Sequence, residues 1–255
     1  MVTTRTVHVE VLVFDGCPHA EAAIRLAHAV AERIGPGITV ERVDVNTPEK
    51  ALEVGFLGSP SIRVDGRDVD GGSASAGRLC CRTYEGGSGI PPEWLVEAAV
   101  LQAISPRGVL FLCVANSARS QLAEGIARFL APPEVTVWSA GSSPTRVRPE
   151  AIAVLAEIGI DISLHRSKSV SEIPAGDVDT VITLCGEEEC PVFLGKARRL
   201  HWGLPDPAGM AGSDADRLDA FRGTRDELRA RLAVVFAHDA PADTRSREAT
   251  ASSRP

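Results

Sequence analysis

Two consecutive α/β units, the second built on a four-stranded parallel sheet flanked by helices, are what this sequence predicts. Three observations lead there. Short β-branched apolar runs alternate with segments of helical periodicity along most of the chain, and that alternation builds parallel sheets covered by helices. Gly and Pro clusters punctuate the runs. The 255 residues suffice for two cores of ordinary size, and the pattern breaks near the middle, at Ser105-Pro106-Arg107-Gly108.

The first unit, residues 1–104, opens with an alternating strand at Val7–Phe14, broken by Asp15-Gly16-Cys17-Pro18. Pro18 suits a first helical turn, so Cys17-Pro18 is expected at the start of a helix whose periodicity runs through Ala20–Ile34. Gly35-Pro36-Gly37 ends it, Ile38–Val45 reads as a second strand, and Pro48–Val54 as a short helix. Ser61–Val64 and Arg67–Val69 form a hairpin turning at Asp65-Gly66. Gly71–Gly89 reads as loop and Pro91–Ala103 as a closing helix. In the second unit, residues 105–238, strands are expected at Val109–Leu112, Val135–Trp138, Val178–Leu184 and Arg198–His201. Helices are expected at Ser120–Leu130, Pro149–Ile158 and Asp214–Ala237. Residues 239–255 lack a hydrophobic pattern and are expected to be a disordered tail.

Bulk properties narrow the function. A net charge of −7 argues against a nucleic-acid partner, which needs a basic face. No apolar run approaches the roughly 20 residues that span a bilayer, and the N-terminal segment lacks a signal-type apolar stretch. No membrane partner and a cytoplasmic address are therefore expected. In a reducing compartment six cysteines are not a disulfide framework but catalytic, redox or metal-binding candidates. They divide evenly: Cys17, Cys80 and Cys81 in the first unit, Cys113, Cys185 and Cys190 in the second.

The strongest motif is Cys113-Val114-Ala115-Asn116-Ser117-Ala118-Arg119-Ser120, lying between a buried strand and a helix. Five residues between Cys and Arg let the loop curl round a tetrahedral oxyanion. Main-chain N–H groups would point inward and Arg119 would add a planar fork of donors. The helix that follows aims its positive end at the same place, an environment that favours Cys113 as a nucleophilic thiolate. Releasing an oxygen from the bound oxyanion needs a proton, and Asp206, between Pro205 and Pro207, is the candidate acid.

Residues 108 to about 238 resemble the thioredoxin-coupled arsenate reductases, which share a fold with the low-molecular-weight protein tyrosine phosphatases. The resemblance rests on Cys113–Gly125, Ser139-Ala140-Gly141, Gly159–Ser163, Thr183-Leu184-Cys185, Cys190-Pro191, and His201-Trp202-Gly203 with Asp206-Pro207-Ala208. It implies that Cys113 attacks arsenate and Asp206 protonates the departing hydroxyl. Cys185 then displaces arsenite, and Cys190 frees Cys113, leaving a Cys185–Cys190 disulfide for an external thiol reductant. No bound cofactor or metal is implied. Helical residues five apart have Cα atoms about 8–9 Å apart, whereas a disulfide wants about 4.4–6.8 Å. A reduced helical turn there must therefore unwind on oxidation. The spacer between Cys185 and Cys190 is shorter than in the better-known branch of the family. Some members bind potassium through oxygens matching Asn116, Glu124, Ser139 and an aspartate. Lys168 stands at that last position, so an ammonium paired with Glu124 is expected in place of the ion.

The first unit resembles a thioredoxin-like fold, with Cys17-Pro18 before a helix and Pro60 as the cis-proline facing the thiol. Ala20 occupies the place of the usual second cysteine, so a dithiol mechanism needs Cys80 or Cys81. Two roles compete with simple packing: reducing the second unit as a tethered substitute for thioredoxin, and capturing arsenite or mercury with three thiolates. For the whole chain the competitors of arsenate reduction are a low-molecular-weight phosphatase using Cys113, Arg119 and Asp206 alone, and a thiol adaptor that binds a metalloid without turnover.

Overall fold

The computed structural model describes residues 6–72, 77, 79–186, 193 and 195–237. Cys190, the acidic run before it and the tail 239–255 lie outside the described residues. The first sheet comprises β1 (Val7–Val13), β2 (Ile38–Asp44), β3 (Ser61–Val64) and β4 (Arg67–Asp68), in the order β2-β1-β3-β4. β1 and β2 run parallel from Val7↔Ile38 to Val13↔Asp44, whereas β3 is antiparallel to both β1 and β4. The period of two is visible in β1. Val7, Val9, Val11 and Val13 are buried with the Ala20, Ala23, Ala27 and Val30 stripe of α1 (Ala20–Ile34). Leu12 instead joins Val45, Phe56 and Ala51 of α2 (Pro48–Glu53). The peptide Ser59-Pro60 is cis.

Cys17 is placed slightly differently from expectation. α1 starts at Ala20 with His19 as its cap, because the first helical hydrogen bond runs from Ala23 N to the His19 carbonyl at 3.0 Å. Cys17 therefore sits in the preceding turn, where its carbonyl accepts from Ala20 N at 3.3 Å.

The second sheet, β5 (Gly108–Cys113), β6 (Thr136–Gly141), β7 (Thr180–Thr183) and β8 (Arg198–His201), is wholly parallel in the order β6-β5-β7-β8. Every residue of β5 is buried. Val109 and Phe111 enter one apolar cluster and Leu110 and Leu112 another, as a central strand covered on both faces requires. Helices α4 (Arg119–Leu130), α5 (Pro149–Ala156) and α6 (Asp214–Val235) complete the unit, α6 opening on a reciprocal Ser213–Asp216 capping box.

Between the sheets lies α3 (Glu93–Ile104), in which Leu95 to Leu101 are buried without interruption. A helix apolar on every face is one enclosed on every face. One side packs on β1, β3 and α1, the other on α6. Consequently Val9, Leu95, Val100, Leu228, Leu232, Trp202 and Phe236 share one continuous core across the expected boundary. No helix of the described residues is long and apolar enough to cross a membrane.

Candidate active site

The carboxyl end of a parallel strand is where such sheets place ligands, and β5 ends on Cys113. Leaving the strand, the chain turns at Asn116, whose φ of 45° is tolerated better by Asn than by most side chains. All the loop carbonyls are turned outward. Val114 O accepts from Ser143 N at 3.0 Å, Ala115 O from Thr145 N at 3.0 Å, and Ser117 O from Arg148 N at 2.9 Å. Asn116 O accepts from Ser167 Oγ at 2.7 Å and Gln121 Nε2 at 3.1 Å. Among the described residues no acceptor takes the N–H groups of residues 114–118. Donors in a concave loop with no acceptor of their own form a nest for an anion. Gly141 of β6 is required beneath it, since a Cβ there would meet Val114 O, Asn116 N and Cys113 O.

The thiol is almost wholly buried, its Sγ 2.9 Å from Ser120 Oγ in the first turn of α4. Ser120 Oγ also accepts from Asn116 Nδ2 at 2.8 Å, so its own proton is well placed to be donated to the sulfur. The Asn116 amide is fully used. Its second Nδ2 hydrogen goes to Ser139 Oγ at 2.8 Å, while Oδ1 accepts from Lys168 N at 2.7 Å and Gln121 Nε2 at 3.0 Å. Ser139 Oγ in turn donates to Glu124, a carboxylate only 1% exposed that also meets Lys168 Nζ at 3.0 Å and Arg128 Nη2 at 2.6 Å. Lys168 and Glu124 are thus paired as expected, directly beneath the loop.

Arg119 begins α4 and is itself buried. Its Nη1 donates to the carbonyls of Leu204 at 3.0 Å and Leu184 at 3.4 Å, and its Nη2 lies 3.6 Å from Asp206 Oδ1. The guanidinium therefore ties the oxyanion loop to both the Asp206 loop and the residue before Cys185. Asp206 caps a short turn by accepting from Ala208 N at 3.3 Å and keeps its side chain 40% exposed. Cys185, fully buried, follows the end of β7, which pairs with β5 through Leu112↔Thr183 and Leu184 N to Leu112 O at 2.8 Å. The thiols of Cys113 and Cys185 thus leave neighbouring strands at the same end.

The other set gathers at the corresponding edge of the first sheet. Ser59 Oγ accepts from Phe14 N at 3.3 Å, and Phe14 O from Cys17 N at 3.2 Å. On its other side Ser59 bridges Cys81, with Ser59 N donating to Cys80 O at 2.8 Å and Arg82 N to Ser59 O at 3.0 Å. Tyr84 Oη donates to Pro60 O at 2.9 Å, and Arg82, paired with Asp68, stacks on the Tyr84 ring. Cys17 is buried, Cys80 and Cys81 exposed. Among the described residues no group of three or more His, Cys, Asp or Glu is set to hold a metal ion.

Gln121 and His165 were not singled out from the sequence. His165 Nδ1 lies 3.0 Å from Gln121 Oε1, and Gln121 holds both oxygens of Asn116. Burial pushes the His165 imidazole below its ordinary 6.5, with Arg128 and Lys168 adding to the shift and Glu124 opposing it. The unfolded chain then takes up this proton first, so the contribution is intact above about pH 6.5 and lost as pH falls below it. The melting-temperature advantage of wild type over His165→Gln is accordingly expected to shrink from about pH 7.5 to about pH 5; an advantage independent of pH contradicts this.

Comparison with known proteins agrees with the geometry. The low molecular weight phosphotyrosine protein phosphatase family matches residues 108–240. A protein of Halalkalibacterium halodurans named arsenate reductase is 40% identical over 126 residues, 49% of this chain and 91% of that protein. Another so named, from Bacillus subtilis, is 38% identical over 126 residues, again 49% of this chain and 91% of the relative. A solved structure described as an arsenate reductase in oxidized state is similar at 36% identity and a TM-score of 0.45, over 51% of this chain and 97% of the other. The chain belongs, through its second half, to the low molecular weight phosphotyrosine protein phosphatase family.

Proposed function

We propose that the protein is an arsenate reductase that draws electrons from its own thiols. The loop of residues 113–119 holds the oxyanion, and Cys113 Sγ attacks arsenic while Asp206 gives the departing hydroxyl a proton, releasing water. Cys185 Sγ then attacks Cys113 Sγ. The new S–S bond forms as the S–As pair stays on arsenic, which leaves as arsenite, reduced by two electrons. Cys190 displaces Cys113, and the Cys185–Cys190 disulfide is returned to dithiol by thioredoxin, a low-molecular-weight thiol or the fused first unit. The observation that carries the reading is Cys185, a second buried thiol leaving the strand beside that of Cys113. Hydrolysis alone needs no such group, because water completes it. Full-length protein given arsenate and thioredoxin with its reductase is expected to release arsenite over many turnovers. Fast phosphate-ester hydrolysis with no arsenite rejects the proposal.

For the first unit the reading is a thioredoxin-like domain. The order β2-β1-β3-β4, the cis Ser59-Pro60 peptide and Cys17 ahead of α1 support it. Ala20 stands where the usual second cysteine would be, and of Cys80 and Cys81 the favoured second thiol is Cys81, bridged to Ser59. A role as tethered reductant predicts that Cys17→Ser slows turnover when no external thioredoxin is supplied.

Lys168 occupies the place of a stabilising cation, its ammonium 3.0 Å from Glu124. Wild-type turnover is expected to change less than about twofold on adding potassium, a few tenths of a kcal/mol. A several-fold gain refutes the ammonium reading. Lys168→Ala leaves Glu124, among the described residues, with Arg128 as its one remaining cation, and about a tenfold loss of activity is expected.

A further inference from the structure

We propose that Glu97, a residue of the first unit, is a positioning residue for the Asp206 loop of the second. The inference rests on the arsenate reductase reading above but adds a group from outside the matched half of the chain. Glu97 lies in α3 and is 2% exposed. One of its oxygens accepts from Arg33 Nη1 of α1 at 2.7 Å, the other from Trp202 Nε1 at 2.9 Å. Trp202 is 1% exposed, and its indole has no water to turn to if Glu97 is lost. Arg231 of α6 lies over both Trp202 and Trp94, 5.7 Å from each ring centre. Trp94 and Glu97 are three apart on α3 and present one face.

Trp202 is the last fixed point before the catalytic loop. Its main-chain N–H donates to Thr183 O at 2.8 Å, next to the Leu184-Cys185 pair. At Gly203 a Cβ would meet His201 Nε2 at 2.9 Å and Cys185 O at 3.2 Å, so the backbone passes tightly over the main chain of Cys185. Leu204 N donates to Leu184 O at 3.3 Å, and Leu204 O holds Arg119 at 3.0 Å. Asp206 follows two residues later. A direction fixed at the Trp202 ring is thus passed through a short, tied segment to the carboxyl that supplies a proton, while Arg119 keeps its second hold on Leu184 O. Burial pushes the Glu97 carboxyl up from its ordinary range, while Arg33 and the indole N–H draw it back.

The test compares Glu97→Ala, Glu97→Gln and Trp202→Phe in the full chain. The Gln amide oxygen can still accept from the indole, so Glu97→Gln is the rescue control. Trp202→Phe keeps an aromatic ring without the donor. Amide exchange of residues 202–208, followed by mass spectrometry, is expected to speed up about tenfold or more in Glu97→Ala and Trp202→Phe and to stay near wild type in Glu97→Gln. Hydrolysis of phenyl phosphate, whose leaving group needs a proton, is expected to fall about 10- to 100-fold in the first two. p-Nitrophenyl phosphate, whose leaving group does not, should fall less than about threefold. Equal losses on both esters mean a general structural defect and overturn the proposal, as does unchanged exchange. If wild type neither reduces arsenate nor hydrolyses esters, the functional reading fails, and the exchange measurement still decides whether Glu97 sets the loop.

Discussion

Replacing Cys185 by serine is expected to abolish arsenite production while leaving p-nitrophenyl phosphate hydrolysis within about threefold of wild type. Electron supply separates the two reactions. On the proposed mechanism Cys113 and the nest of residues 114–118 suffice to bind an oxyanion and form a covalent adduct, and water can break a thiophosphate adduct without a second thiol. An arsenic adduct yields arsenite only if a second sulfur takes over Cys113 and leaves an electron pair on arsenic. A serine hydroxyl cannot form that bond. The exchange is nearly isosteric at a fully buried position, so the melting temperature should move by only a few degrees, roughly what 1–2 kcal/mol produces. Cys113→Ser, in contrast, should lose both activities by more than about a thousandfold. Arsenite appearing at a tenth of the wild-type rate or more in Cys185→Ser would falsify the relay.

The parts of this site that could be read in the sequence are those fixed by local chemistry. Cys113 to Ser120 lie between an apolar strand and a helix, and the structure keeps that order. α1 begins and ends where expected because Gly35 stops it, although Cys17 proves to stand one turn earlier than the helix start. β6 runs on to Gly141, beyond the expected Trp138; Ala140 and Gly141 are poor strand formers by propensity, so the extension carried no signal in the sequence. Gly141 lacks a side chain because the loop of residues 113–116 rests on it. Pairing of Lys168 with Glu124, 44 positions apart, was visible only through family resemblance. Glu97 carried no such signal as a ligand of Trp202, because that contact exists only once α3 has packed beside the end of β8. A hint was nonetheless present. Residues 95–101 offer no polar stripe except Glu97 itself, which marks a helix enclosed between layers rather than one closing a free-standing domain.

That enclosure leads to the second large effect. Cutting the chain so that only residues 105–255 remain is expected to give a protein that is poorly soluble or markedly less stable, although the curated relatives consist of little more than this half. The matched half resembles those relatives in sequence, but here α6 and Trp202 are built against α3. Removing α3 uncovers the face of α6 that packs on it and leaves the Trp202 indole N–H without Glu97. Burying a large apolar side chain contributes about 1.5–3 kcal/mol, and a whole domain is stable by only about 5–15 kcal/mol. Even partial exposure of a few such residues therefore consumes much of the margin. By the same reasoning the full chain should unfold in one cooperative calorimetric transition, because neither sheet can lose its partner without opening the common core. Two resolved transitions, or a fragment that melts within a few degrees of the intact protein, show instead that each half keeps its own core and that α3 merely rests on α6.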